Sequence, residues 1–423
     1  MNTTARGCLI LLGIVGLSVI CILFTFGFMP SNGIAVAVPV IMVPGEPYDP
    51  KLPVDSFRWT NTLTATVLAG LVVLLFTFLV WRSSKGWTRE VPGRWQGWAE
   101  IFFGFFYNLS KQIAGNNARL LFPLTASIFI FLLATNWMKL LPGIESVGVL
   151  HCAEAGFSAY PMVQIGSDAY QLYNDQALNV GRTATEADYE HCEEWKKAGK
   201  PKPSSEEKHE AARRLAEQEA ALRERLTAEG ASEAVITAEV EALRLSIAEE
   251  LYPHATYPLT AEQLDKGVVP YHFVITPFVR GATTDLNLTI GLALVSVIAV
   301  QVFGVMAQGP NYFQKFVNLR ALGSLGKKPL GAIDFVVGLI EIISEIGKII
   351  SLAFRLFGNM FAGGILLIVM AFLVAAFLPL IFIGLEVIIT TVQALVFAVL
   401  TLVFASQAME GHHGDEEHGE AHH

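Results

Sequence analysis

The sequence predicts an all-α integral membrane protein of about six transmembrane or tilted helices, ending in a long helix pair and carrying a charged helical insertion outside the membrane. Three observations carry this. Of 423 residues, 53% are hydrophobic and only 16% charged, where soluble chains carry about 25% charged residues. Mean hydropathy is +0.48. Several apolar runs reach the roughly 20 residues that a helix needs to cross the hydrocarbon core.

Residues 1–57 hold the first apolar run, Cys8 to Met29, which follows Arg6 and precedes Ala35-Val36-Ala37. That layout fits a signal peptide with a small-residue cleavage site, and the length of the run fits a retained span; both readings stand, with retention favoured. Either way the N-terminus starts in the cytoplasm and the next segment lies outside. The region 58–144 follows. A span from about Thr60 to Trp81 ends at Arg82, Lys85, Arg89 and Arg94, opposed only by Glu90, so that end is cytoplasmic by the positive-inside rule. Trp95 to Lys111 mixes aromatics with Glu100, Asn108 and Lys111 and reads as an interfacial amphipathic helix. Leu120 to Leu141 carries the chain outward again.

From 145 to 269 the composition turns polar. Ser204 to Glu250 is rich in Ala, Glu, Arg and Leu; Leu215, Leu222 and Leu226 recur at helical spacing, and Gly230-Ala231-Ser232 interrupts them. Two charged amphipathic helices are expected, as a hairpin. The simpler role is a solvated insertion packed on itself; docking to a partner subunit is the sharper one. Cys152 and Cys192 fall here without metal-ligand spacing. In an oxidising compartment they could pair; otherwise they are two free thiols. No residue pattern suggests a bound metal or cofactor, and no basic patch suggests nucleic acid.

The region 270–408 returns to the membrane with Leu286 to Ala307. A loop follows with Lys315, Arg320, Lys327 and Lys328 and no acidic residue between Asn311 and Gly331, hence cytoplasmic. A long helical region spans Ile333 to Ala376, and Pro379 marks the turn into a last helix, Leu380 to Ala408. The tail, 409–423, is acidic and rich in histidine; a disordered polar segment explains it better than a metal site.

Asp334, Glu341, Lys348 and Arg355 recur every seven residues, with Glu345 between them. Seven residues nearly complete two turns, so these charges share one stripe. A charge near the membrane centre costs about 2.5–3.5 kcal/mol on insertion scales. Such a stripe must face protein, water or an ion path. Arg355 has no acidic residue within one turn and keeps its proton at any relevant pH. It is a fixed cation suited to attracting a carboxylate from elsewhere, or a structural arginine satisfied by carbonyls. Asn359 shares its face. Glu386 and Gln393 share a face of the last helix, with Thr390 between them. Burial disfavours the charged form of a carboxyl, so a lone glutamate here suits proton exchange near neutrality; a hydrogen-bonded structural carboxyl is the plainer alternative.

Phe354-Arg355-Leu356-Phe357-Gly358-Asn359-Met360 with Ala362-Gly363 resembles the signature of the F-type ATP synthase a subunit. Gln393-Ala394-Leu395-Val396-Phe397 resembles its second signature. Val91-Pro92-Gly93-Arg94, Asn136-Trp137-Met138-Lys139-Leu140-Leu141-Pro142 and Thr284-Asp285-Leu286-Asn287-Leu288-Thr289 are similar to further family stretches, in family order. The resemblance covers about Arg58 to Leu141 and Pro277 to Ser406.

The resemblance implies two long tilted helices against a rotating ring of c subunits, with peripheral-stalk b subunits and the rest of the ATP synthase as partners in a bacterial plasma membrane. The insertion would then lie outside and the C-terminus in the cytoplasm. It implies that Arg355 meets each ring carboxylate and blocks leakage between two half-channels, that Glu341 lines one access route, and that Asn359 and Gln393 flank the arginine. Asn136, Arg280, Asp285 and Asn287 match polar positions near the outer route; Glu345 and Lys348 are further candidates for channel lining. Many relatives carry an acidic or imidazole group nine positions after the arginine, where this chain has Gly364. Glu386 then serves as the proton-handling group. No sodium-ligand cluster is evident, which points to H⁺, and no glycine-rich phosphate loop is present, so nucleotide chemistry belongs to another chain. A self-contained secondary transporter is the competing class, but such folds usually show internal repeats, and none is visible.

Overall fold

The computed structural model describes residues 45–48, 57–87, 92–141, 144–145, 147–166, 169–173, 182–316, 330–373 and 378–410. The first apolar run with its possible cleavage site, and the histidine-rich stretch from 411, lie outside the described residues. The chain divides into two compact units, one built on Gly148–Thr276 with Leu366–Phe382, the other on Met42–Val147, Pro277–Ile365 and Ile383–His423.

The larger unit is a helical bundle. Helix α1 (Asn61–Ser84) begins at Thr60, whose side chain accepts from the Leu63 amide, as a threonine N-cap does. Helices α2 (Arg94–Ala114) and α3 (Ala118–Met138) are separated by a short turn at Gly115–Asn117, where Gly115 takes a positive φ. Helix α8 (Leu286–Gln308) starts at Asp285, and α9 (Leu330–Leu373) and α10 (Leu378–Met409) complete the set. Asn61–Ser84, Arg94–Met138, Leu286–Gln308 and Leu380–Met409 are long and apolar enough to cross a membrane. The chain is a multi-pass, predominantly helical membrane protein.

The bundle's core joins α2, α3, α8, α9 and α10 through Phe106, Phe129, Leu132, Val297, Leu356 and Phe397, among others. Small residues supply much of the rest: Ala293, Ala353, Ala394 and Ala398 are each at most 1% exposed, letting helix backbones approach closely, as dispersion-driven packing in lipid requires. Large apolar side chains such as Leu74, Phe78, Ile298, Ile343 and Ile388 point outwards instead. In water that surface would be untenable; in hydrocarbon it is solvated.

The other unit differs from the purely helical insertion expected. Helices α5 (Ser205–Ala228) and α6 (Glu233–Leu251) form the anticipated hairpin, packed through Leu226, Ile236 and Val240 and reversed at Gly230, which has a φ of 75°. They are joined by α4 (Glu186–Lys197), α7 (Ala261–Asp265) and a five-stranded sheet of β1 (Gly148–Cys152), β2 (Ser158–Gln164), β3 (Tyr170–Leu172), β4 (Arg182–Thr183) and β5 (Val268–Pro277). Strand β2 pairs antiparallel with β3, β4 and β5; Tyr160 faces Phe273 and Met162 faces Val269. Trp195, Leu215, Ile247, Tyr271 and Phe273 fill the core between sheet and helices. Burial pushes the Tyr252 hydroxyl up to about 12, with help from nearby Tyr170. Of the two readings left open for the cysteines, the structure has the disulfide: Cys152 at the end of β1 is bonded to Cys192 in α4.

Candidate functional site

The site grows from the antiparallel packing of α9 on α10 and from the loop that leads into α8. On α9, Arg355 is exposed. Its described partner is Ser351 Oγ, one turn back, at 3.4 Å; among the described residues it makes no ion pair. It sits on an apolar face with Ile350, Phe354, Ile388 and Val392, each at least half exposed. Asn359, one turn on, donates to Gln393 Oε1 at 2.6 Å, so the two helices are tied beside the arginine. The rest of the stripe is divided. Glu345 is buried and accepts from Lys348 at 2.8 Å, while Lys348 also lies 5.2 Å over the Phe404 ring. Glu341 is half-buried. Glu345 and Lys348 thus pair with each other, whereas Arg355 makes no ion pair among the described residues.

Further along the pair, Glu386 is buried, but it is not the lone carboxyl expected. Lys139, at the end of α3, forms an ion pair with it, the two side chains being 4% and 6% exposed. A buried carboxylate is tolerated far better with a counter-charge than without one. The carboxylate rests on α9 at Gly363, where an added Cβ would stand 3.0 Å from Glu386 Oε1. Space that a side chain at 363 would take is filled from the opposite helix.

Asn136 connects this pair to the loop before α8. Its Oδ1 accepts from Thr283 at 2.8 Å and its amide reaches the Thr390 carbonyl at 3.5 Å. Asp285 is buried; it caps α8 by accepting from the Asn287 amide at 2.9 Å and also accepts from Thr62 at 2.7 Å and Gly45 at 3.1 Å. A Cβ at Gly45 would collide with the Thr62 hydroxyl, so this approach requires glycine. Arg280 pairs with Glu46 at 3.4 Å, and Glu145 accepts from the Gly281 amide at 2.9 Å. Burial pushes the Glu46 carboxyl up; Arg280 and Asn61 oppose that, while Glu145 adds to it.

The Asn287 side chain is exposed, and its backbone amide joins the Asp285 cap. Asn136, Arg280 and Asp285 do come together. Reasoning from the sequence missed Lys139, Glu46 and Glu145. The lysine stood in view at the end of a span, where a cation usually serves the helix terminus or the interface.

The ATP synthase A chain family model matches residues 63–166 and 264–406, more than half of the chain. The protein belongs to this family. It is therefore an a-type subunit of the membrane sector of an F-type ATP synthase, taking part in proton translocation rather than in catalysis of its own. Family membership displaces the secondary-transporter reading. The match embraces β1, β2 and the whole of β5, so the unmatched stretch, 167–263, is inserted between strands that are themselves part of the matched sequence. Among the described residues there is no group of three or more His, Cys, Asp or Glu side chains arranged to hold a metal.

Proposed function

We propose that this chain is the proton-conducting stator subunit that offers two half-channels to the carboxylates of a c-subunit ring. Ions reaching the ring from one half-channel neutralise a ring carboxylate, ride round, and leave by the other, so that flow drives rotation and ATP synthesis. The observation that carries the reading is Arg355: a permanent cation on an exposed apolar face, unpaired among the described residues. Leaving it unpaired in hydrocarbon costs about 2.5–3.5 kcal/mol, which a carboxylate brought by the ring offsets at each step. Its charge also blocks a proton from passing directly between the half-channels.

The pairing of Asn359 with Gln393 supports their role in holding the helices together beside the arginine. The cluster of Asn136, Arg280, Asp285, Glu46 and Glu145, leading to Glu386, supports the outer route; Glu341, with Glu345 and Lys348, suits the other. The Cys152–Cys192 bond supports an outer, oxidising location for the insertion, in a bacterial plasma membrane with the C-terminus in the cytoplasm. Peripheral-stalk b subunits complete the partners. The test is Arg355→Ala in the assembled enzyme, with ATP-driven acidification of inverted vesicles as the readout: pumping should be lost, and normal pumping would refute the assignment.

A further inference from the structure

Lys139 follows the last turn of α3, where unpaired carbonyls ordinarily draw a cation or where the stem extends to the interface. It does neither. Its stem passes Gly281, where an added Cβ would lie 3.1 Å from Lys139 Cδ and 3.3 Å from Glu145 Oε1. Its ammonium then ends between the Met360 carbonyl of α9, at 3.3 Å, and the Glu386 carboxylate of α10. One side chain thus ties the end of α3 to both helices of the long pair. It also spans from the acidic loop cluster to the inner carboxylate.

We propose that Lys139 is a positioning residue for proton transfer: it pins the Glu386 carboxylate over Gly363 and cancels its charge, so that Glu386 passes the transported proton on without competing for Arg355. This rests on the half-channel reading above. Among the described residues, the groups facing Glu386 are Lys139 from the end of α3 and the backbone of Gly363 from α9; Glu145 lies beside Gly281, which the lysine stem passes. At rest the pair is neutral, carboxylate against ammonium. A proton from the outer side binds the carboxylate and gives the pair a net charge of +1; its departure to a ring carboxylate restores neutrality. Lys139 keeps its own protons throughout.

A net positive pair in a low-dielectric site is disfavoured, so the loaded state is transient and the proton moves on. Without the ammonium, Glu386 would be left as a bare anion each time it gave up its proton. Gly363 lies eight residues beyond Arg355, about 12 Å along a helix, near enough in a low-dielectric medium for that anion to draw on the field meant for the ring.

The experiment compares Lys139→Met, Lys139→Arg, Glu386→Gln and the double variant Lys139→Met/Glu386→Gln in assembled enzyme in inverted vesicles, with Arg355→Ala alongside. Initial pumping rates are recorded over a range of pH. Lys139→Met should slow pumping at least about tenfold and displace the pH profile by about a unit or more, with Lys139→Arg recovering most of the rate. The double variant should be no slower than Glu386→Gln alone, because the lysine acts through the carboxylate. The double variant also decides the matter if Lys139→Met does not accumulate, since it leaves no bare buried charge; a further loss of threefold or more relative to Glu386→Gln overturns the proposal. So does a Lys139→Met enzyme with the original rate and profile. Loss of pumping in Arg355→Ala beside an unaffected Lys139→Met rejects the lysine's role alone. Retained pumping in Arg355→Ala rejects the underlying reading.

Discussion

Replacing both Cys152 and Cys192 with alanine should weaken the unit built on Gly148–Thr276 by about 4 kcal/mol. The bond closes a loop of 40 residues. In the chain-entropy description, a loop of that length removes about 13 cal/mol/K from the unfolded ensemble, or about 4 kcal/mol at 25 °C. Both cysteines are buried, at 4% and 0% exposure, so alanine introduces no stranded hydroxyl. The loss should be confined to the unit built on Gly148–Thr276. Amide exchange on the purified enzyme reads it directly: protection in β2, β5 and α4 should fall by up to about three orders of magnitude, since each 1.4 kcal/mol is a factor of ten. Protection in α8 and α10 should hold. An effect under about 1 kcal/mol, or one spread equally into the bundle, would refute the reasoning. It would mean that the unit's own core already confines those 40 residues.

Two further outcomes are expected. Burial acts to raise the Glu219 pKa, but hydrogen bonds from Arg244 and Arg223 outweigh it and leave the carboxyl below its ordinary 4.5. Its stabilisation is therefore present above pH 4.5 and lost as pH falls through the lowered value. Glu219→Gln should cost the α5–α6 hairpin about 1 kcal/mol at pH 7, with the gap closing in acid; a gap in hydrogen-exchange protection that widens in acid would contradict this. Gly363→Ala places a Cβ 3.0 Å from Glu386 Oε1, adding about 1–3 kcal/mol of overpacking against about 1 kcal/mol gained in helix propensity. The subunit should still assemble while pumping falls severalfold; wild-type pumping would show that the carboxylate's place over Gly363 does not matter.

What the sequence reveals and conceals here follows from the range of each interaction. Helices α1, α3, α8 and α10 announce themselves because lipid demands an unbroken apolar run, a local property. The stripe of α9 is legible for the same reason: a seven-residue spacing is visible without a partner. The β-strands are not. Strand β4 has two residues and β3 three, too short for alternation to register, and Pro270 interrupts the pattern of β5. What fixes them is pairing across the inserted segment, as between Tyr160 and Phe273. The cysteines could be placed in one polar segment but not bonded to each other without the fold that brings β1 to α4. Arg355 was legible as a charge lacking a local partner. Lys139 looked ordinary at the end of its span, because its carboxylate lies more than two hundred residues away.

The length of α9 has an electrical consequence. Its 44 residues extend about 66 Å, more than twice the roughly 30 Å of hydrocarbon. If the whole helix is to remain at membrane depth, each two-turn step from Glu341 to Lys348 to Arg355 advances only about 5 Å along the bilayer normal. At 100 mV that step spans about a sixth of the drop, or about 0.4 kcal/mol per charge. Voltage therefore barely distinguishes these positions from one another. With the two half-channels proposed above, nearly all of its work is done on ions while they travel the access routes to either side of these positions.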